Sequence, residues 1–241
     1  MIGEKIYLIE EGNPIYQQTM DVYYQYKGDV ELTVLGYTVE LNEEDELTAV
    51  AFSNIIPENY CEEYDDLGYE YQGCSNCEMR ERSEDTFFVL PRGYIKRKQK
   101  DYGIAWLDDC HEVVLLPKLV QELKNAGLDE SNFLPVFSKK KKIIGYVFDS
   151  KNILPKESYK DPNYELNKIC DKCGSVTLSE NEEIFIQHPK TITQEGLAQL
   201  QDINFTYEYY DGYRELIISP KVYSTIKKYV KDVSFMPVYL R

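Results

Sequence analysis

The sequence predicts an α+β protein built from two related halves, and three observations support this prediction. A Cys-x-x-Cys motif occurs twice, as Cys74–Cys77 and as Cys170–Cys173, with equivalent cysteines 96 positions apart. After each motif the chain reads as an apolar strand, a helix that begins with proline, and a strand containing Phe-x-Pro-Val. The segment before the first motif is strongly acidic. We therefore expect two pseudo-symmetric strand-helix-strand repeats and an acidic N-terminal extension.

In the first repeat, the apolar run Val113–Leu116 predicts a short strand. Pro117 suits the first turn of a helix, and apolar residues recur at helical spacing until Gly127 ends the pattern. No polar N-cap residue precedes this proline. Phe133–Phe137 predicts a second strand, in which Pro135 favours a position at the edge of a sheet.

The second repeat follows the same order with a better helix start. Leu216–Ile218 predicts the strand, Ser219 is a suitable N-cap, and Pro220–Val230 has an apolar stripe at helical spacing. Phe235–Tyr239 predicts the closing strand, and Pro237 again favours an edge position.

Runs of apolar and β-branched residues predict further strands outside the shared unit. These strands are Lys5–Ile9, Leu32–Leu41, Leu47–Phe52, Phe87–Leu90 and Ile143–Phe148. A short helix is expected within Thr191–Ile203, where Thr191 and Gln194 have the spacing of a capping box.

The predicted elements divide the chain into four segments that we expect to pack as one compact unit. An acidic, tyrosine-rich segment covers residues 1–72, the first repeat covers 73–149, and the second covers 169–241. Residues 150–168 contain two prolines and few apolar side chains, so we interpret them as a connector.

The net charge of −15 is distributed unevenly. Residues 1–90 contain 21 acidic and 4 basic side chains, whereas residues 91–241 contain 21 acidic and 23 basic ones. A negative surface of this kind repels nucleic acid and attracts a basic partner. The candidate partner-binding residues are the densest acidic positions and a tyrosine among them: Glu43, Glu44, Asp45, Glu46, Glu62, Glu63, Tyr64, Asp65 and Asp66.

Composition also limits the cellular setting and the role of the cysteines. No apolar run is long enough to cross a bilayer, and the N-terminal residues lack the order of a signal peptide, so we expect a cytoplasmic protein. Six cysteines in a cytoplasmic protein indicate metal binding more than disulfides.

Two Cys-x-x-Cys motifs supply the four thiolates of a closed, structural zinc site. The sequence therefore predicts one shared zinc ion bound by Cys74, Cys77, Cys170 and Cys173. Two separate sites are the main alternative, with Cys61, Cys110 or His111 assisting the first motif and His188 assisting the second. A redox pair or loss of the metal is also possible.

The residues that could support catalysis are few. The chain has two histidines and no phosphate-binding loop, nucleophile elbow or His-Glu-x-x-His motif, so we expect a protein that is not an enzyme. Basic residues cluster at Arg92–Lys100 and at Lys139–Lys142. These clusters leave a zinc-ribbon adaptor for nucleic acid as an alternative function.

The two Cys-x-x-Cys motifs, the second followed by Gly174, together with the apolar strand, helix and final Phe235 segment, resemble the double-CXXCG immunity proteins of bacterial polymorphic toxin systems. The resemblance covers roughly residues 70–241, and the first motif is followed by Glu78 where the family usually has glycine. It implies a protein that binds and neutralises a cognate toxin by occlusion. An acidic mimic of nucleic acid is a further alternative.

Overall fold

The computed structural model describes most of the chain beyond residue 42. The described residues are 18, 20–21, 24–25, 43–57, 60–61, 71–77, 79–82, 88–90, 103–107, 112–180, 189–231 and 233–241. The chain divides into two compact units, Met1–Thr38 and Val39–Arg241, and the described residues of the first unit are helical. The elements below belong to the second unit. The strands expected at Lys5–Ile9 and Leu32–Leu41 lie outside the described residues.

The described part of the chain has an α+β fold that consists mostly of sheet, as the sequence predicts. Its helices are α1 (Glu43–Thr48), α2 (Pro117–Asn125), α3 (Gln194–Ala198) and α4 (Pro220–Tyr229). Its strands are β1 (Ala51–Pro57), β2 (Tyr60–Cys61), β3 (Tyr71–Gly73), β4 (Arg80–Arg82), β5 (Phe88–Leu90), β6 (Ile104–Leu107), β7 (Glu112–Leu115), β8 (Phe133–Ser138), β9 (Ile143–Phe148), β10 (Tyr159–Lys160), β11 (Tyr164–Ile169), β12 (Val176–Glu180), β13 (Lys190–Ile192), β14 (Ile203–Tyr210), β15 (Tyr213–Ile218) and β16 (Val233–Leu240). None of the described helices is long and apolar enough to cross a membrane.

Two large sheets and one hairpin organise these strands. The six-stranded sheet has the order β2-β6-β7-β9-β8-β5, and the eight-stranded sheet has the order β10-β13-β16-β1-β15-β14-β12-β11. Strands β3 and β4 form the hairpin. Five neighbouring strands have the same succession of directions in both sheets, since β6-β7-β9-β8-β5 and β14-β15-β1-β16-β13 each contain three antiparallel pairs followed by one parallel pair.

The central strands β9 and β1 occupy the same register in the two sheets. Tyr146 of β9 lies opposite Leu115 on one side and Pro135 on the other. Leu115 is two positions before the proline that starts α2, and Pro135 is the proline of the Phe-x-Pro-Val run. Phe52 of β1 lies opposite Ile218 and Pro237, which hold the same two places in the second half. The middle of the eight-stranded sheet therefore comes from a segment that precedes the first Cys-x-x-Cys motif.

One hydrophobic core joins the two sheets and their helices. It contains Leu119 and Leu123 of α2 together with Val222 and Ile226 of α4, all fully buried. Phe52 stacks on the ring of Tyr223, with ring centroids 3.7 Å apart. The apolar stripes of both helices, predicted from their spacing, are thus buried against the same core.

A second, smaller core lies against β1, β13, β15 and β16 and is covered by the segment predicted as a connector. Leu154 and Tyr159 of this segment are buried against Ala51, Ile192 and Ile217. Prolines at positions 155 and 162 do not keep it away from the sheet, because Leu154 and Tyr159 point inward.

Several local predictions are confirmed and three are wrong. Helices α2 and α4 form as expected, and β9 has the predicted bounds. Pro135 and Pro237 lie on interior strands instead of edge strands. The parallel neighbours, β5 beside β8 and β13 beside β16, begin to pair only at the residue after each proline. The missing proline N–H therefore interrupts none of the described pairs with these neighbours.

The other two wrong predictions concern the start of strand β1 and the N-cap of helix α3. Leu47 belongs to helix α1, and the strand predicted from it starts only at Ala51. The acidic residues that precede Leu47 favour the first turn of a helix. Thr193 caps α3 by accepting a hydrogen bond from Gly196 N, whereas Thr191, the predicted cap, lies in β13.

Candidate metal centre

The first Cys-x-x-Cys motif forms the turn of the β3–β4 hairpin. Cys77 N donates a hydrogen bond to Cys74 O at 3.4 Å, which closes the turn. Asn76 N points at Cys74 Sγ, also at 3.4 Å. A short hairpin thus presents both sulfur atoms on one side of the turn.

The second motif forms the turn between β11 and β12 and closes more tightly. Gly174 N donates to Cys170 O at 2.8 Å, and Cys170 N donates to Ser175 O at 2.9 Å. Gly174 has a φ of 75°, in the left-handed region that side chains with a Cβ rarely adopt. This requirement explains the glycine that follows the second motif.

The two turns bring their four sulfur atoms together at one point. Cys74 Sγ lies 3.9 Å from Cys170 Sγ, and Cys77 Sγ lies 3.6 Å from Cys173 Sγ. All four sulfur atoms lie within 4.8 Å of one another. A tetrahedron with zinc–sulfur bonds of about 2.3 Å has sulfur–sulfur edges of about 3.8 Å. The four cysteines predicted from the sequence are therefore close enough to hold a metal ion.

Polar contacts of exposed side chains also connect the two turns. Asn76 Nδ2 donates to Asp171 Oδ1 at 2.6 Å, and Lys172 Nζ donates to Ser75 Oγ at 2.7 Å. Lys168 Nζ donates to Asn76 O at 2.6 Å.

The environment of the thiols differs within the cluster. Hydrogen bonds with the hydroxyl and N–H of Ser175 lower the pKa of Cys173 to about 6. The N–H of Cys173 lowers the pKa of Cys170. Desolvation raises the pKa of Cys77 to about 12. A divalent cation would stabilise all four as thiolates, because it compensates the desolvation and the repulsion between neighbouring sulfur atoms.

The chemistry of the donors suits zinc in a structural role. Four cysteine sulfurs leave no coordination position for water or substrate. Cys170 is buried, Cys74 and Cys77 are half-buried, and Cys173 is exposed, so the cluster lies at the surface with one side open. Among the described residues, no other group of His, Cys, Asp and Glu side chains could hold a metal ion.

Several residues of the alternative sites cannot be placed. Cys110, His111 and His188 lie outside the described residues, and only the backbone of Cys61, in β2, is described. The basic segment Arg92–Lys100 also lies outside them. Lys139–Lys142 forms the exposed turn between β8 and β9.

The acidic positions predicted to contact a partner are placed only in part. Glu43 to Glu46 lie in helix α1, where the side chain of Glu44 is exposed. The stretch from Glu62 to Asp66 lies outside the described residues. These positions therefore stay a prediction.

Strand β4, which follows the first motif, forms a polar bridge that the sequence did not indicate. Arg82 makes a bidentate pair with Glu112, at 2.7 and 2.5 Å, and its Nη2 donates to Phe148 O at 2.9 Å. Glu81 accepts hydrogen bonds from Tyr209 and from Arg214, the latter at 3.1 Å. The neighbouring residues Glu81 and Arg82 thus contact different sheets, and no local sequence pattern indicates these long-range contacts.

A buried cluster of charges in the eight-stranded sheet also escaped sequence reasoning. Lys190 contacts Asp161, at 2.9 Å, and Glu215, and the three side chains are between 2% and 9% exposed. Burial raises the pKa of Glu215, against the effect of Lys190. Burial alone would lower the pKa of Lys190, but the charges of Glu215 and Asp161 raise this pKa above its ordinary value. The arrangement holds β13, β15 and the loop before β11 together.

No protein-family model and no curated protein matches the chain.

Proposed function

We propose that one zinc ion, bound by Cys74, Cys77, Cys170 and Cys173, fastens the two halves of a binding protein. The observation that carries this proposal is that two hairpins far apart in sequence direct four sulfur atoms to one point. The zinc has a structural role, since the cysteines fill all four positions of its coordination shell.

The two halves are copies of one unit that exchange their central strands. The common succession of five strands supports this, as does the common register of Phe52 and Tyr146. In this proposal, each unit begins with its central strand, β1 for the first and β9 for the second, whereas the repeats predicted from the sequence place β9 in the first. Each central strand then precedes the Cys-x-x-Cys motif of its own unit and lies in the sheet of the other. The shared zinc would connect the halves at a second place, beyond the exchanged strands.

The binding protein acts as an immunity protein that neutralises a cognate bacterial toxin by occluding it. Support comes from the paired motifs and their resemblance to the double-CXXCG immunity proteins. The acidic excess before residue 90 supports a basic toxin, such as a nuclease, as the partner.

Co-expression with the toxin encoded beside this protein tests the function directly. Cells that produce the toxin should survive when the intact chain is present, and the purified proteins should form a stable complex. Reversing charges at Glu43, Glu44, Asp45 and Glu46 should slow association, most strongly at low salt. When these reversals are made one at a time, Glu195→Lys, at an exposed acidic position in α3, is the charge-matched control for each.

Experiments on the same purified protein distinguish the immunity function from the two alternative functions. Absence of both protection and complex formation would exclude the immunity function. Salt-dependent retention on DNA or RNA would instead favour the nucleic-acid adaptor. Inhibition of unrelated nucleases would favour a general nucleic-acid mimic.

A metal count tests the zinc separately from the toxin. Elemental analysis of the purified protein should find about one zinc per chain. A count of two would require two separate sites, and four freely reactive native thiols would rule out the shared site.

A further inference from the structure

A cleft of about 220 Å³ opens between strand β4 and the ends of β7, β14 and β15. Phe205 and Leu216 form part of its floor, together with Ile153, which is 44% exposed. Arginine and carboxylate side chains surround this apolar floor. An apolar floor with a few convergent polar groups is the usual composition of a small-molecule site.

Most charges around the cleft are already paired. Arg82 is held by Glu112, and Arg214 by Glu81 and by the carbonyl oxygens of Thr206 and Tyr207. Within the described part of the chain, no carboxylate pairs with Arg80.

Arg80 is nevertheless held in a fixed place. Its Nη1 donates to Tyr213 Oη at 2.7 Å, and its guanidinium lies 5.5 Å from the centre of the Tyr213 ring. Its backbone N–H donates to Gly212 O at 2.7 Å. Its remaining guanidinium N–H groups are available to an anion.

We propose that this cleft binds a carboxylate joined to an aromatic or aliphatic group, with the carboxylate on Arg80 and the apolar group over Phe205, Leu216 and Ile153. A planar guanidinium matches a carboxylate in a bidentate geometry. The ligand is a free acid of this kind or the C-terminal residue of a peptide, which present the same chemistry. Binding of such an acid does not depend on toxin neutralisation.

The charges next to Arg80 select a single negative charge over a double one. The side chains of Glu81 and Asp149 are 45% and 44% exposed and also face the cleft. Arg80 would attract a phosphate dianion more strongly than a carboxylate, but both carboxylates would also repel it more strongly, and its second charge adds a desolvation cost. A phosphate ester of the same size should therefore bind more weakly.

Titrations of the metal-loaded full chain, followed by calorimetry and by NMR, test the proposal. The probes are 3-phenylpropionate, 3-phenylpropanol, phenyl phosphate, and a short peptide ending in phenylalanine with either a free or an amidated C-terminus. The carboxylates should bind at least roughly tenfold more tightly than the uncharged analogues. Comparison of the free acid with the peptide identifies which source of carboxylate the cleft accepts.

Two variants examine the assignment of residues. Arg80→Gln should weaken carboxylate binding roughly tenfold while leaving the alcohol unchanged. Ile153→Glu, at an exposed position, should abolish carboxylate binding without unfolding the protein. Lys139→Gln, in the exposed turn between β8 and β9, is the control and should bind normally. Equal affinity for acid and alcohol, unchanged binding by Arg80→Gln, tighter binding of phenyl phosphate, or no saturable binding would each overturn the proposal.

Discussion

A glutamate stands at the same place in both sheets, directly before the strand residues that lead into the helix, but its surroundings differ. Glu112 pairs with Arg82, and their side chains are 13% and 16% exposed beside an open cleft. Glu215 pairs with Lys190, and these side chains are 9% and 2% exposed. The connecting segment causes the difference, because it covers the second sheet and adds Asp161 to the cluster. We therefore expect these two positions to contribute differently to stability, according to what covers them.

The largest effects should come from the one feature to which both halves contribute equally. Cys74→Ser and Cys170→Ser each remove one ligand from the proposed zinc site, at equivalent positions of the two motifs. Each should release the metal and lower the free energy of unfolding by several kcal/mol, since structural zinc stabilises the folded state directly. Elemental analysis and urea unfolding measure these effects.

Ser75→Ala is the control for the cysteine variants. It lies in the same turn and is exposed, and its hydroxyl only accepts a hydrogen bond from Lys172. Its stability should stay within about 0.5 kcal/mol of the wild type. A large loss from one cysteine variant alone would contradict a site shared by the two halves.

The next largest effects on stability should come from the two charge clusters, and they should differ in size. Lys190→Met leaves Asp161 and Glu215 buried without their cation and should cost about 3–5 kcal/mol. Arg82→Met removes the bidentate partner of Glu112, but water can reach that side chain from the cleft, so we expect a loss of about 1–3 kcal/mol. Equal losses in urea unfolding would show that the connecting segment does not isolate the second cluster from water.

The buried cluster should also give the second half a distinct pH dependence. Because burial raises the pKa of Glu215 in the folded state, this state binds the proton more tightly than the unfolded one. The contribution of Glu215 is present below its ordinary pKa of 4.5 and is lost as the pH rises through the folded-state value. The wild type should thus lose stability relative to Glu215→Gln as the pH is raised from 4.5.

Unfolding of both proteins across this range measures the difference. The cysteine cluster is common to the two, so its own pH dependence largely cancels in the comparison. Glu112→Gln is the matched variant in the first half, where the side chain faces the cleft. A constant difference between wild type and Glu215→Gln would contradict the raised pKa.

Local signals explain how much could be predicted from the sequence. The helices after Pro117 and Pro220 follow from apolar spacing. The cluster of four cysteines follows from residue type, because a Cys-x-x-Cys motif gives both a turn and two metal-binding sulfurs. The place of β1 between β15 and β16 could not be predicted, since its sequence has the pattern of any central strand. Pairing of Phe52 with Ile218 depends on the packing of distant segments.

The polar bridge of β4 was missed for a related reason. Arg80, Glu81 and Arg82 alternate in charge as a solvated strand would, and their partners are distant in sequence. The prolines of the Phe-x-Pro-Val strands led to a wrong prediction, because they favoured edge positions for strands that lie inside the sheets. A missing N–H excludes a ladder bond at one residue only, and a short neighbouring strand that starts one residue later avoids the conflict.

The starts of the two helices should give the smallest effect. Ser219 accepts a hydrogen bond from Val222 N at 3.4 Å and donates one to Asp202 Oδ1 at 2.8 Å, whereas Leu116 begins the first helix without a side-chain cap. Leu116 is 3% exposed, so burial of its side chain stabilises the helix start in place of a cap.

Ser219→Ala should therefore cost about 1 kcal/mol, measured by urea unfolding. Ser224→Ala is the matched control, because Ser224 lies on the exposed side of the same helix and donates only to Pro220 O. Alanine is the better helix former there, so this change should be neutral or slightly stabilising. Similar losses from both variants would mean that the loss at Ser219 is not specific to the cap.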